Sequence, residues 1–532
     1  MKQIIIYDTT LRDGMQGTGI NFTLPDKLQI ARELDKLGID YIEGGFPLAN
    51  KKEAEFFNRL KQENLKHAKI AAFGSTRKPN IKAENDPHIN ALLQAETPAV
   101  TVVGKSWKAH VELVLKTSLQ ENLNMIYDSI ATLSKADREV IFDLEHFFDG
   151  YKDDPEYAIQ VLKAGTEAGA AALVLCDTNG GTLPGEVTAI MADLDKGKFS
   201  PMGAHFHNDC GTAVANSLAA IHAGAVHVQG TVNGWGERSG NADLCVLIPN
   251  ICLKSKRTAS PCAQLKHLTA VSRFMFEKAN IIPDKRQPYV GKAAFSHKGG
   301  QHADVIFKAA HLIEHIPSET VGNERRILLS ELAGKSTIVK KLSKYGNFDK
   351  SANEVKKLVK ELKHLEEEGY EYEAAEASFD LIIRRTLKRY TPLLQLQNYH
   401  LESFKSGSSP AKTVSKIFLK ITGSDGTPLD KEVMGAAVGL GPVEALDGSL
   451  RDALSPHHPF LSHIKLTDYA VRVLDPERAA AARVRVFITS FDGQRSWGTV
   501  GVSENIVEAS WQALVDSIEY YFNNYVLQNG IS

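Results

Sequence analysis

Eight short runs of mostly β-branched and apolar residues recur through the first 231 residues, separated by longer segments with helical spacing. Strands that are apolar on both faces and alternate with helices are typical of a parallel sheet covered by helices. Eight such units in about 240 residues fit a closed (β/α)8 barrel of about 250 residues. The predicted strands are 4–8, 39–44, 69–73, 99–103, 140–144, 172–176, 202–206 and 227–231.

A doubly wound open sheet is the alternative arrangement of the same elements. Such sheets usually carry a glycine-rich dinucleotide turn after the first strand. In this chain, residues 8–14 instead read Asp-Thr-Thr-Leu-Arg-Asp-Gly. We therefore predict an α/β chain that begins with a TIM barrel.

Beyond residue 248 the pattern changes. Residues 261–279 and the charged stretch 335–396 have helical spacing, and residues 403–413 have the Ser-, Gly- and Pro-rich composition of a linker. Strand-like runs and a final amphipathic helix then indicate an α+β domain. The predicted segments are a barrel (1–275), a helical subdomain with His297 and His302 (276–402), a linker (403–413) and the α+β domain (414–532).

Composition excludes several classes of protein. The chain carries 62 Lys and Arg against 64 Asp and Glu, whereas binding to nucleic acid or to an anionic membrane usually needs a basic excess. No apolar run approaches the roughly 18 residues that cross a bilayer, and the N-terminus is not typical of a signal peptide. The five cysteines have no CxxC spacing, so we expect a reduced, cytoplasmic protein without nucleic-acid or membrane partners.

His205-Phe206-His207 ends the seventh predicted strand. Residues i and i+2 of a strand point to the same side, so both imidazoles can converge on one point. At the carboxyl ends of barrel strands, where enzymes of this fold keep their active sites, the pattern is typical of two ligands to a divalent metal. Histidines that only hydrogen-bond a strand end are the alternative, and the motif alone leaves both open.

The loops after the first and eighth strands carry further candidates. Asp13 could supply an oxygen ligand, and Arg12 could bind a substrate carboxylate in bidentate fashion. Residues 233–241 read Asn-Gly-Trp-Gly-Glu-Arg-Ser-Gly-Asn, and Asn241 could add a carbonyl oxygen to the metal. A surface turn held by an Arg–Asp pair and a plain glycine-rich loop are the alternatives.

Polar residues follow other strands as well. Glu43, Glu145 and Thr178 stand at the ends of the second, fifth and sixth predicted strands. Each alone could cap a helix, but polar groups at the same ends of at least five of eight strands favour a metal-dependent active site. For Cys176 and Cys210, near the same ends, we favour packing over a nucleophilic role because no His–Cys pair is present locally.

Taken together, these motifs resemble those of the acetyl-CoA-dependent Claisen-condensing enzymes on metal-binding barrels: the 2-isopropylmalate, homocitrate and citramalate synthases. The matching stretches are Asp-Thr-Thr-Leu-Arg-Asp-Gly, Glu-Gly-Gly-Phe-Pro, Asp-Thr-Asn-Gly-Gly-Thr-Leu-Pro, His-Phe-His-Asn-Asp and Asn-Gly-Trp-Gly-Glu-Arg-Ser-Gly-Asn. Residues 439–445, Gly-Leu-Gly-Pro-Val-Glu-Ala, are similar to the family's amino-acid-sensing regulatory domain. The resemblance thus covers nearly the whole chain, and within the family it is strongest to the longer citramalate synthases.

The resemblance implies a metal site and a substrate site. The metal would be Mn²⁺ or Mg²⁺, with Zn²⁺ as an alternative, and its ligands would be Asp13, His205, His207 and Asn241. A 2-oxo acid would be bound by Arg12, Thr178 and Glu43.

The resemblance also implies the groups that act on acetyl-CoA. Glu145 would lie near the reacting centre, and His302, in Gly-Gly-Gln-His-Ala-Asp, would match the family's general-base histidine. Some family members place a catalytic tyrosine after the segment that matches Val321 and Gly322, whereas this chain reads Asn-Glu-Arg-Arg there.

The implied reaction condenses acetyl-CoA with pyruvate and water to (R)-citramalate and CoA, an entry to isoleucine synthesis. A 2-isopropylmalate synthase that takes 2-oxoisovalerate is the alternative, and a hydrophobic pocket separates the two oxo acids by only about 1–3 kcal/mol per methylene. A retro-aldol CoA lyase and an inactive amino-acid-binding regulator are further interpretations. The long C-terminal domain argues against the first, and the complete set of site residues argues against the second. The resemblance further implies a homodimer whose C-terminal domain binds an amino-acid effector, isoleucine.

Overall fold

The computed structural model describes residues 3–195, 199, 201–255, 257–297, 305–306, 309–327, 335–475, 477 and 482–527. The chain divides into two compact units. The first comprises Met1–Phe295 and Ile316–Arg325, and the second comprises Ser296–His315 and Arg326–Ser532. Among the described residues, no helix has both the length and the apolar character needed to cross a bilayer.

The first unit contains a closed barrel of eight parallel strands. They are β1 (Ile5–Asp8), β2 (Tyr41–Gly45), β3 (Lys69–Ser75), β4 (Ala99–Lys105), β5 (Glu139–Glu145), β6 (Ala172–Asp177), β7 (Met202–Phe206) and β8 (His227–Gly230). Because β1 pairs with β2 on one side and with β8 on the other, the sheet has no free edge. The predicted TIM barrel is confirmed, and the open sheet is excluded.

Helices follow the strands, and local sequence signals fix their ends. They are α1 (Leu24–Leu37), α2 (Lys51–Leu60), α3 (Pro87–Gln94), α4 (Leu119–Lys135), α5 (Phe147–Asp153), α6 (Pro155–Glu167), α7 (Pro184–Asp195), α8 (Ala213–His222), α9 (Leu244–Lys254) and α10 (Leu268–Ala279). Thr23 and Asp26 form a capping box at the start of α1, and Gly38 ends it in the left-handed conformation, with φ of 86°. The helix predicted at 261–279 is a 3₁₀ helix, Ser260–His267, followed by α10.

Side chains on the two faces of the barrel sheet form two separate cores. Phe142 and Phe206 pack with the helices in the large outer cluster, whereas Tyr7, Tyr41 and Cys176 belong to a smaller cluster inside the barrel. Side chains along a strand point alternately to the inside and the outside of the barrel. The residue two positions after each inward-facing apolar residue therefore also points inward. Towards the carboxyl ends of the strands these inward positions become polar and buried: Glu43, Asp143, His205 and Gln229.

Cys252, near the end of α9, forms a disulfide bond with Cys262 in the 3₁₀ helix that follows. The prediction of reduced cysteines is therefore wrong for this pair. The turn between the two helices brings the Cα atoms of Cys252 and Cys262 within 5.4 Å of each other. Their sequence separation of 10 does not indicate this proximity. Cys176 is free and buried, and burial raises the pKa of its thiol, which agrees with a packing role.

The second unit consists of helices followed by two antiparallel sheets. The helices are α11 (Lys335–Leu342), α12 (Asn353–Glu367) and α13 (Glu376–Thr386). The first sheet contains β9 (Leu394–Phe404), β10 (Lys412–Thr422) and β11 (Pro428–Gly439), and α14 (Pro442–Leu454) packs on it. The second contains β12 (Lys465–Val473), β13 (Val484–Phe491) and β14 (Ser496–Ser503), and α15 (Ile506–Tyr521) packs on it.

Two expectations about the second half are corrected. The helical pattern expected over 335–396 ends with α13, and β9 begins at Leu394. The expected linker, 403–413, is the turn of the hairpin between β9 and β10, in which Phe404 pairs with Lys412. A Ser-, Gly- and Pro-rich segment suits a hairpin turn as well as a linker, so composition does not separate the two. The α+β domain therefore begins before residue 403.

Loss of the Cys252–Cys262 bond is expected to lower thermal stability. Closing a loop of about ten residues stabilises a fold by about 3 kcal/mol, mainly by restricting the unfolded chain. The protein in dithiothreitol, and the double variant Cys252→Ser/Cys262→Ser, should unfold several degrees below the oxidised wild type in a thermal scan. Cys210→Ser is the control, because Cys210 is free and exposed. Equal unfolding temperatures would show that the bond contributes nothing.

Candidate active site

Three buried side chains meet at the carboxyl end of the barrel, one from the loop after β1 and two from the end of β7. His205 lies in β7 and His207 follows that strand, so both imidazoles reach the same side, as predicted. Their Nε2 atoms lie 3.5 Å and 3.8 Å from Oδ2 of Asp13. All three side chains are buried, and one ligand atom from each lies within 4.8 Å of the others. This is a spacing that a single metal ion can bridge.

Asn241 is the fourth member of the cluster. It forms a β-bridge with His207, and its Nδ2 donates to the backbone carbonyl of Trp235 at 3.0 Å. The Oδ1 atoms of Asn241 and Asp13 are buried and have no hydrogen-bond partner among the described residues. Buried acceptors without a donor are costly, and oxygen atoms beside imidazoles suit a divalent cation. The residues present therefore fit a metal ion.

Glycines allow the loop 233–241 to hold Asn241 in place. A Cβ on Gly236 would lie 2.1 Å from Nδ2 of Asn241, and a Cβ on Gly240 would lie 2.0 Å from the carbonyl oxygen of Gly234. Gly240 also has φ of +90°, which L-residues rarely adopt. The close backbone approach indicated by the sequence occurs at these positions.

Burial sets the charge states of the cluster. Burial, together with His207, lowers the pKa of His205 to about 3, and burial also lowers the pKa of His207. Both imidazoles are therefore neutral near pH 7, the form that binds a metal. Burial alone would raise the pKa of Asp13, but the neighbouring Arg12 guanidinium helps to bring it below its usual value. The carboxylate is ionised.

Arg12 is held beside the cluster by Glu43. Its Nε lies 2.6 Å from Oε2 of Glu43, and its Nη1 lies 3.3 Å from Oδ2 of Asp13. Glu43 is fully buried and also accepts hydrogen bonds from the hydroxyls of Tyr7 and Thr9. Both of its oxygen atoms are thus occupied, whereas the Arg12 side chain is 15% exposed. The structure places Glu43 behind Arg12 and leaves Arg12 facing the site.

Glu145 and Thr178 lie at the carboxyl ends of their strands, as expected. Glu145 ends β5 and forms an ion pair with Lys105 at the end of β4. Thr178 follows β6, and its Oγ1 accepts a hydrogen bond from the backbone N–H of His146 at 2.9 Å. Both side chains are partly exposed at the barrel mouth.

Two further expectations concern the predicted base, His302, and the position where some family members have a catalytic tyrosine. His302 lies outside the described residues, so its role stays a prediction, and His297 belongs to the second unit. Asn323 is buried, and its Nδ2 donates to the carbonyls of Tyr289 and Gly291 at 2.8 and 2.9 Å. This amide holds local backbone together.

Sequence reasoning does not single out two polar residues inside the barrel. Gln229, on β8, lies with Oε1 3.0 Å from Nδ1 of His205, and its Nε2 donates to Oδ1 of Asp143, on β5, at 2.9 Å. The available signal is modest. Asp143 is a charged residue between the apolar Phe142 and Leu144, and Gln229 follows the apolar Val228, so that their side chains point to opposite faces of the strand.

The sequence matches three family models in succession. An HMGL-like model matches residues 3–275, a homocitrate synthase post-HMGL domain-like model matches residues 289–370, and a LeuA allosteric (dimerisation) domain matches residues 373–522. The third match begins before β9, in agreement with the corrected start of the α+β domain.

Several relatives match over almost their whole length. The (R)-citramalate synthase of Aquifex aeolicus is 49% identical and that of Geobacter sulfurreducens is 45% identical, each with 98% of both chains covered. A probable 2-isopropylmalate synthase of Methanopyrus kandleri is 31% identical over 97% of this chain and 98% of the relative. The resemblance drawn from the motifs is confirmed. The chain belongs to the HMGL-like family of barrels, in the branch with a LeuA-type domain that contains the (R)-citramalate synthases.

Proposed function

We propose that this chain condenses acetyl-CoA with pyruvate and water to give (R)-citramalate and CoA, an entry to isoleucine synthesis. One observation carries the proposal: the buried Asp13–His205–His207 cluster lies beside Arg12 at the barrel mouth. It is supported by five (R)-citramalate synthases that are 43–49% identical over nearly their whole length. The chain is accordingly an acyltransferase of the condensing type.

A divalent metal would be held by the four residues of the cluster. We propose Mn²⁺ or Mg²⁺, with Zn²⁺ as the alternative, held by Asp13, His205, His207 and Oδ1 of Asn241. Asn241 would offer its carbonyl oxygen, because Oδ1 is buried and has no hydrogen-bond donor among the described residues. When bound, the ion supplies Lewis-acid polarisation of the keto group of the 2-oxo acid.

Arg12 would bind the carboxylate of pyruvate. Glu43 accepts from Nε and Asp13 lies beside Nη1, so the remaining N–H groups of Nη1 and Nη2 can donate to a carboxylate. We therefore assign Glu43 to positioning Arg12, in place of the direct substrate contact expected from the sequence. Thr178 accepts a hydrogen bond from a backbone N–H, so its own hydroxyl proton can be donated to the substrate.

Carbon–carbon bond formation requires a base, because the methyl group of acetyl-CoA is a weak acid. We assign proton removal to His302, as the resemblance implies, with Glu145 near the reacting carbon. The resulting enolate carbon attacks C2 of pyruvate, and the former keto oxygen takes up a proton. Water then cleaves the thioester and releases CoA.

Asn323 cannot replace the family's tyrosine, since its Nδ2 and Oδ1 are both hydrogen-bonded to backbone groups.

A pair of aromatic rings, one of which packs on Arg12, favours a small 2-oxo acid. The Arg12 guanidinium carbon lies 4.1 Å from the centre of the Phe73 ring, and Phe46 packs edge-on against Phe73 with centroids 6.2 Å apart. Rings beside the carboxylate anchor suit the methyl group of pyruvate better than the isopropyl group of 2-oxoisovalerate. A 2-isopropylmalate synthase remains the second candidate, because the Methanopyrus kandleri relative bears that description.

The second unit would carry regulation by isoleucine. The LeuA allosteric (dimerisation) match covers most of the unit. A cavity of about 420 Å³ within it is lined by Trp511, Val515 and the pair of Arg385 and Asp516, whose charged atoms are 3.3 Å apart. A cation beside a carboxylate can bind the two charged groups of an amino acid, and the apolar wall can hold its side chain.

We further propose a homodimer in the cytoplasm. The dimer is supported by the description of the LeuA domain. The location is supported by the proposed substrate, since acetyl-CoA is strongly anionic and does not cross a membrane unaided.

CoA release from acetyl-CoA with Mn²⁺ tests the substrate assignment. We expect kcat/KM to be at least about tenfold higher for pyruvate than for 2-oxoisovalerate, since two methyl groups separate them. A preference for 2-oxoisovalerate would move the chain to the leucine branch. Absence of release with either oxo acid would contradict a condensing activity.

Removal of one imidazole tests the metal assignment. His205→Ala should lower kcat by about 10³-fold, because the lost polarisation is worth several kcal/mol. Isoleucine binding, measured by calorimetry, should remain, since the second unit is a separate unit. His222→Ala is the matched control, as His222 is exposed at the end of α8. Full activity of His205→Ala at limiting metal would refute the assignment.

Feedback inhibition tests the regulatory role. Millimolar isoleucine should inhibit the wild type, and Val515→Trp, which fills the cavity, should abolish inhibition without lowering basal turnover. Ile506→Trp, on the same helix but exposed and away from the cavity, serves as the control. Activity that is equal with and without isoleucine would rule out this effector, and inhibition that persists in Val515→Trp would place the effector elsewhere.

A further inference from the structure

Inside the barrel, a buried hydrogen-bond relay holds one side of His205. Nδ1 of His205 lies 3.0 Å from Oε1 of Gln229, and Nε2 of Gln229 donates to Oδ1 of Asp143 at 2.9 Å. The three residues come from β7, β8 and β5 and are 4%, 0% and 3% exposed. No step of the reaction described above uses Gln229 or Asp143.

The relay has a fixed direction. An amide has one donor end and one acceptor end, and the donor end of Gln229 is turned to Asp143. In this placement Oδ1 of Asp143 accepts the hydrogen bond from Nε2 of Gln229, whether or not the second carboxyl oxygen carries a proton. The carbonyl end of Gln229 therefore faces His205, and it can accept only from a protonated Nδ1.

The direction of the relay decides which nitrogen of His205 is free. A neutral imidazole carries one proton, so a proton on Nδ1 leaves the lone pair on Nε2. That Nε2 lies 3.5 Å from Oδ2 of Asp13, on the side of the metal cluster. His207 differs, since its buried Nδ1 has no hydrogen-bond partner within the described residues. His205 is thus the imidazole whose tautomer the barrel interior dictates.

We propose that Gln229 and Asp143 are positioning residues that lock His205 in the Nδ1–H tautomer and aim its Nε2 lone pair at the metal, a role that rests on the metal-dependent function proposed above. Without an acceptor at Nδ1, both tautomers are populated, and the form with hydrogen on Nε2 cannot bind the ion at that atom. Groups that hold the second nitrogen of a metal-binding histidine typically change metal affinity by about 10–100-fold.

Titration of the full-length protein with Mn²⁺ measures this role without relying on turnover. Free Mn²⁺ gives a six-line EPR spectrum that is lost on binding, so the free ion is counted directly. Gln229→Met keeps the length of the side chain but removes the acceptor. Its Kd for Mn²⁺ should rise by about 10–100-fold.

A variant in which the carboxyl and amide groups exchange positions separates the effect of hydrogen-bond direction from the effect of side-chain packing. In Asp143→Asn/Gln229→Glu, the carboxylate at position 229 accepts both from Nδ1 of His205 and from the amide at position 143. This variant keeps one carboxyl group in the relay and the same tautomer of His205, so its Kd should lie within about threefold of the wild type, well inside the range lost on removing the acceptor.

Cys176→Ala is the matched control. Cys176 is the register partner of His205 across β6 and β7, so this variant removes buried atoms next to His205 without touching the relay. Its Kd should stay at the wild-type value. Thermal unfolding without metal reports whether each variant is folded.

Two results would overturn the proposal: wild-type affinity in Gln229→Met, or a folded Asp143→Asn/Gln229→Glu variant that binds Mn²⁺ as weakly as Gln229→Met. A wild type that binds neither Mn²⁺, Mg²⁺ nor Zn²⁺ would overturn it together with the metal site. Tight Mn²⁺ binding without CoA release would refute the proposed reaction and leave the relay standing.

Discussion

The pairing of β1 with β8 is the contact on which the site depends. The two strands run in register, and beyond them the N–H of Thr9 donates to the carbonyl of Gly230 and the N–H of Val232 donates to Oγ1 of Thr10, both at 2.9 Å. The first and last loops of the barrel therefore leave it side by side. This brings Asp13, near the N-terminus, against the histidines of β7 and the loop after β8. An open sheet of the same strands would separate these groups.

Barrel closure also concentrates charge where water is scarce, and each buried charge needs a partner. Glu43 is neutralised by Arg12 and held by two hydroxyls, so its own charge is satisfied within the protein. Asp13 shares Arg12 but keeps one buried oxygen without a donor among the described residues, and the nearby imidazoles are neutral. Under the proposed function, a cation would complete this balance and a substrate carboxylate would take the exposed side of Arg12.

The sequence predicts the barrel and the convergence of His205 and His207 because both depend on local periodicity. Strands that are apolar on both faces can be recognised directly in the sequence. Two histidines at positions i and i+2 of a strand must point to the same face of the sheet. Other features depend on contacts that periodicity does not encode. Glu43 stands near the carboxyl end of a strand, as a substrate ligand would, yet its partners come from β1 and the loop after it. Cys252 and Cys262 come into contact because the chain reverses direction in the turn between two helices. The hairpin turn at 403–413 has a linker's composition because both need flexible, polar residues.

A crystal structure with Mn²⁺ and pyruvate, using the anomalous signal of manganese, tests the central claim most directly. We predict one ion bound by Asp13, His205, His207 and Asn241, with the carboxylate of pyruvate on Arg12. An ion outside this cluster, or a pyruvate carboxylate bound to a different cationic side chain, would contradict the account.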